Sequence, residues 1–137
     1  MPRPRFFMST TTLLCVTAAL ACSDSNAPGA LPECTGAVTP KVGSGTTPRI
    51  SWTPACRLFL VLVEDPSGGG DQWGVLSDSS NAIATPVTYG SMPAGATKEL
   101  QAAIALTVGQ QYHLVLYRFT GPGHEDGTLA GEADFTP

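Results

Sequence analysis

Tyr112-His113-Leu114-Val115-Leu116-Tyr117-Arg118-Phe119 is the stretch that decides the fold. Tyr112, Leu114 and Leu116 alternate with His113, Val115 and Tyr117, and a period of two sends the two sets to opposite faces of an extended strand. Leu129 to Phe135 has the same pattern, with Leu129, Ala133 and Phe135 set against Glu132 and Asp134. Upstream, Arg49 to Thr53 puts Ile50 and Trp52 on one face and Arg49, Ser51 and Thr53 on the other. Leu58 to Val63 is apolar at every position, the pattern of a central strand buried on both faces. Ala37 to Val42 is a first strand whose Pro40 indicates an edge. Trp73 to Leu76 and Ile83 to Tyr89, the latter interrupted by Pro86, are shorter candidates. Lys98 to Leu106 reads two ways: Leu100, Ala102, Ile104 and Leu106 alternate as in a strand, while its alanines and Lys98, Glu99 and Gln101 also suit a helix. Gly, Pro, Asp and Ser clusters separate the runs, with no internal repeat, so the expected class is all-β, a sandwich or barrel.

Three segments resemble the fibronectin type III and related immunoglobulin-like sandwiches. Ile50-Ser51-Trp52-Thr53-Pro54 is similar to the family's second strand, whose tryptophan packs into the core. Leu106-Thr107-Val108-Gly109-Gln110-Gln111-Tyr112 matches the spacing of its Leu, Gly and Tyr before the sixth strand, with Val108 in place of the usual Pro and Gln110 in place of Thr. Thr128 to Pro137 resembles a terminal seventh strand. The resemblance covers residues 33–137 and implies a seven-stranded antiparallel β-sandwich in which Tyr112 buries its ring and satisfies its hydroxyl on upstream backbone. It says little about function, because such sandwiches host many unrelated roles.

The N-terminus carries an address. Arg3 and Arg5 precede a short apolar region, Phe6 to Leu20, broken by Thr10, Thr11 and Thr12. Ala19-Leu20-Ala21-Cys22 then resembles the lipobox of bacterial lipoproteins, which implies cleavage after Ala21 and acylation of Cys22. An ordinary secretory cleavage is the alternative; an uncleaved span is disfavoured because roughly fifteen interrupted residues fall short of the ~20 needed to cross a bilayer. Bulky Leu14 makes Cys15 a poorer acylation site. The resemblance implies a membrane partner reached through lipid on Cys22, and Ser23 in the next position implies the outer membrane. Residues 1–21 are thus expected to be a signal peptide. Residues 22–32, rich in Gly, Pro and Ser, read as a flexible tether, and 33–137 as the domain.

Without the signal, Lys41, Arg49, Arg57, Lys98 and Arg118 stand against all eleven Asp/Glu of the chain. The resulting net charge of about −6 offers no basic stripe for a nucleic acid. Of four cysteines, Cys15 leaves with the signal and Cys22 takes lipid, which leaves Cys34 and Cys56 in an oxidising compartment, where a disulfide is expected. A free or metal-binding pair is the alternative.

No catalytic constellation is evident, and no cofactor or metal is expected. His113 reads as a sheet position. His124-Glu125-Asp126 reads as a polar turn rather than a set of converging metal ligands. Glu64, Asp65 and Asp71 flank Gly68-Gly69-Gly70 without the acidic spacing of a calcium loop or the ending of a phosphate cradle. The candidate binding surface is apolar and aromatic: Val115, Tyr117 and Phe119, with Phe59, Val61 and Val63 on the same outer face and Trp73 nearby. The expected function is a non-enzymatic, lipid-anchored envelope protein making protein or glycan contact through that face and the loop from Gly121 to Gly127. A structural accessory lipoprotein of a larger assembly and a small hydrolase or metal-site enzyme are the alternatives.

Overall fold

The computed structural model describes residues 30–121 and 127–137. The signal, Cys22, most of the tether and the His124-Glu125-Asp126 triplet therefore lie outside the described residues. Within them the chain forms β1 (Thr39–Val42), β2 (Arg49–Thr53), β3 (Arg57–Leu58), β4 (Leu60–Asp65), β5 (Gly70–Leu76), β6 (Ile83–Ala84), β7 (Val87–Thr88), β8 (Lys98–Gln101), β9 (Tyr112–Arg118) and β10 (Thr128–Phe135). These make a three-stranded sheet β1-β2-β7, a five-stranded sheet β10-β9-β4-β5-β8 and a small pair β3-β6. Every strand pairing is antiparallel.

Ten strands in three sheets replace the expected seven, and local chemistry accounts for the difference. The apolar run Leu58 to Val63 is split at Phe59, whose N–H donates to the Tyr117 carbonyl and whose carbonyl accepts from Ser77. Pro86, lacking an N–H, divides Ile83 to Tyr89 into two short strands that pair with different partners, β6 with β3 and β7 with β2. Lys98 to Leu106 is not a helix: Lys98–Gln101 pairs with β5, and Ile104 donates to the Gln72 carbonyl at 2.8 Å. Sheet pairing overrides the helix propensity of its alanines.

One apolar cluster joins the two larger sheets: Ile50 and Trp52 of β2 and Val87 of β7 meet Val61, Val63, Trp73, Val75, Tyr112, Leu114 and Leu116 of the five-stranded sheet. Trp52 satisfies its indole N–H on the Cys56 carbonyl at 2.8 Å. Tyr112 accepts the Thr107 N–H at its hydroxyl, 2.9 Å away, the local contact expected of it. Cys34 and Cys56 are bonded, with Cα atoms 4.9 Å apart. The bridge joins the segment ahead of β1 to the connection between β2 and β3. It lies beside a short parallel contact in which Cys34 donates to the Arg57 carbonyl and Arg57 donates to that of Pro32. Val38, just ahead of β1, donates to Ala130 and ties the small sheet to β10.

Candidate functional site

Strand parity determines which side chains the five-stranded sheet shows to solvent. Val61 lies opposite Leu116 and Val63 opposite Leu114, so both valines share the core face, and Trp73, opposite Val63 in β5, goes with them. Trp73 is fully buried and packs on Tyr89 with ring centroids 5.4 Å apart. Trp73, Val61 and Val63 are therefore not part of an exposed patch. Phe59 is also buried, against Phe119 at 5.4 Å, where the break before β4 turns it under the end of β9. A run such as LFLVLV has no period of its own, so its inward set cannot be read from hydrophobicity. Glu64 is the signal that finds it. A carboxylate in the same parity as Leu60 and Leu62 must reach water, which places those leucines outward and the valines inward.

Val115 and Tyr117 do lie on the outer face, paired with Leu62 and Leu60. Leu76 continues the row across β5, and Leu129, opposite Tyr117, extends it to the sheet edge. Leu129 was expected inward with Ala133 and Phe135. An irregularity between Leu129 and Gly131 shifts the parity and buries Ala130 instead. Leu100 closes the other side. At Gly74 a Cβ would meet Leu62 Cδ1 at 2.9 Å and Leu100 Cβ at 3.5 Å, so the missing side chain lets the two leucines approach across β5. Leu100 and Leu129 are 43% and 48% exposed, Leu60, Leu62, Leu76 and Tyr117 are half-buried, and Val115 is covered by these neighbours. Phe119 is half-buried beyond the end of the strand.

One end of this apolar face is acidic. His113 pairs across the sheet with Glu64 and Asp134. Its Nδ1 is 2.7 Å from Asp134 Oδ1 and its Nε2 is 3.5 Å from Glu132 Oε2. The hydrogen bond to Asp134 raises the imidazole pKa above its ordinary value, against the opposing effect of burial. Both ring nitrogens face carboxylates, an arrangement that favours the charged form of the imidazole.

The Gly68 to Gly70 turn uses its acid internally. Asp65 accepts from the Ser67 N–H and hydroxyl at 2.8 and 2.6 Å and from Gln110 Nε2 at 2.7 Å. The Ser67 hydroxyl bond is the main reason its carboxyl stays below its usual pKa. At the far end of the sheet an open cleft of about 410 Å³ has a mixed lining that includes Glu33, Cys34, Asn81, Arg118, Phe119 and Thr120. Asn81 is buried there and clamps Phe119, accepting from its N–H at 2.7 Å and donating to its carbonyl at 2.9 Å. Among the described residues no group of three or more His, Cys, Asp or Glu is placed to hold a metal ion. The chain matches no protein family, no curated protein and no solved structure.

Proposed function

We propose that this chain is a lipid-anchored cell-envelope protein, fastened through Cys22 to the outer membrane, whose fibronectin type III-like domain makes non-catalytic contact with a protein or glycan. The strand order supports the family assignment. Sheet β1-β2-β7 corresponds to the first, second and fifth strands of such a sandwich, and β10-β9-β4 to its last, sixth and third. The observation that carries the recognition role is the outer face of the five-stranded sheet, where Leu60, Leu62, Leu76, Leu100, Tyr117 and Leu129 leave apolar surface open to solvent. A stretch of this kind, bordered by polar groups, is a contact surface in soluble domains. Tyr117 supplies a flat ring with a hydroxyl, suited to an amphipathic partner such as a peptide or sugar.

Capture of envelope material by the full chain tests the reading. Leu100→Asp and Tyr117→Ala are expected to abolish capture with the fold intact by circular dichroism; undiminished capture by both variants removes this face from the proposal. Cys22→Ala is expected to release the protein from membranes, and its retention in the membrane fraction refutes the anchor.

A further inference from the structure

We infer that the edge formed by Ala102 to Leu106 pairs with the same edge of a second copy of this chain, antiparallel about a two-fold axis at Ile104. Among the described residues, strand β8 ends the five-stranded sheet with only β5 beside it, and the chain stays on that edge after Gln101. The Ile104 N–H goes to Gln72, and its carbonyl accepts the Tyr89 hydroxyl at 2.6 Å. In a β-ladder the backbone groups of the residues on either side point the other way. Those residues are Ala103 and Ala105. Both are exposed, and no hydrogen bond engages their N–H or C=O groups among the described residues.

Sheet edges are ordinarily guarded by charge, proline or a covering segment. The opposite edge of this sheet is covered, since β1 and Val38 lie against β10. The Ala103 edge lacks the first two of these: residues 101–109, QAAIALTVG, contain neither charge nor proline. An open groove of about 600 Å³ runs beside it, between Thr46, Thr88 and Ser91 on one wall and Ala103 to Leu106 on the other.

A second copy fits this edge on two counts. With Ile104 on the axis, Ala103 of each copy lies opposite Ala105 of the other, and the outward N–H and C=O groups satisfy one another in four hydrogen bonds. The side chains that meet are methyl groups and Ile104 itself. Charge does not oppose it: of the charged residues on this edge, Lys98 and Glu99 of β8, pairing about Ile104 sets Glu99 of one copy opposite Gly109 of the other, so two acidic chains meet here without opposing carboxylates. The inference does not depend on the anchor or on the outer-face reading.

Cysteine cross-linking tests it. Residues facing each other across a non-hydrogen-bonded antiparallel pair have Cα atoms about 4.5 Å apart, within the reach of a disulfide. The full chain carrying Ile104→Cys, with Cys15 and Cys22 replaced by serine, is treated with oxidised glutathione in detergent solution, and dimers are read on non-reducing gels with the linkage mapped by mass spectrometry. Val108→Cys is the control, because Val108 is 74% exposed against 46% for Ile104 but lies beyond the paired segment. The expected result is a 104-to-104 link forming about tenfold faster than any link through 108, reflecting the local concentration that pairing creates. Adding Ala105→Pro or Ala103→Pro, each deleting one outward donor, should erase that advantage while circular dichroism stays unchanged. Equal rates at the two positions, a link at 104 that both prolines leave intact, or an edge that captures only foreign peptides and never itself would each overturn the inference.

Discussion

At the residue scale, Trp73 and Tyr117 show how two aromatics in neighbouring strands acquire different roles. Trp73 is enclosed between the sheets and its indole N–H has no hydrogen-bond partner among the described residues, so it contributes buried area rather than polar contact. Trp73→Ala is expected to cost about 3–5 kcal/mol in urea denaturation, as truncations of buried aromatics do. Tyr117→Ala, on the outer face, is expected to cost far less and to act on binding. His113 gives a pH signature. Its pKa is raised in the folded chain, chiefly by Asp134, so its stabilisation is complete below the ordinary histidine value and is lost as pH rises through the raised one. Wild type should therefore exceed His113→Gln in stability by about 0.5 kcal/mol near pH 6, a modest figure because the pair is partly exposed. The difference should shrink as pH rises through the raised pKa and vanish above it, where the imidazole is neutral. A gap that grows with pH would show that the imidazole is not held charged. Tyr89 is shifted for another reason: burial pushes its hydroxyl up to about 12, and it remains a neutral donor to the Gln72 and Ile104 carbonyls.

At the scale of elements, the strands with one polar face were legible and those without were not. Tyr112 to Phe119 and Arg49 to Thr53 alternate in sequence and form β9 and β2 with the expected inward sets. Leu58 to Val63 does not alternate, so apart from the adjoining Glu64 its parity is carried by pairing with β9 and β5. The irregularity after Leu129 is of the same kind, since one extra residue reverses every side chain upstream of it. Gly131 marks this position. A Cβ there would lie 2.5 Å from the Val38 carbonyl oxygen, so a side chain would force apart the backbones that join β1 to β10. Gly131→Ala is accordingly expected to lower stability by about 1–3 kcal/mol, the usual range for overpacking. An unchanged urea midpoint would mean that the two edges are not in contact.

At the scale of the molecule, the N-terminal segment is held to the sandwich by the Cys34–Cys56 bond, which closes a loop spanning 22 positions. Replacing both cysteines by alanine is expected to cost about 3 kcal/mol on the chain-entropy account, read as a lower urea midpoint with an unchanged slope. The same comparison in reductant should bring wild type to the variant's midpoint. Domain size is consistent with such dependence, because the net stability of a native domain is about 5–15 kcal/mol, of which the bond would be a large share.

Sequence alone determined the all-β class, because side chains alternating every two residues can bury one face only as strands. It also singled out the Cys34 and Cys56 pair by cysteine arithmetic, and the resemblance of Leu106 to Tyr112 implied the tyrosine whose hydroxyl meets Thr107, a contact so local that it needs no knowledge of distant neighbours. Tertiary structure alone decided that Phe59 breaks the run from Leu58 to Val63, that Trp73 is core, that Leu129 turns outward and that Ala103 and Ala105 are left at an open edge. Each of these depends on which strand lies alongside and in what register, and register is a property of pairs of segments far apart in the chain.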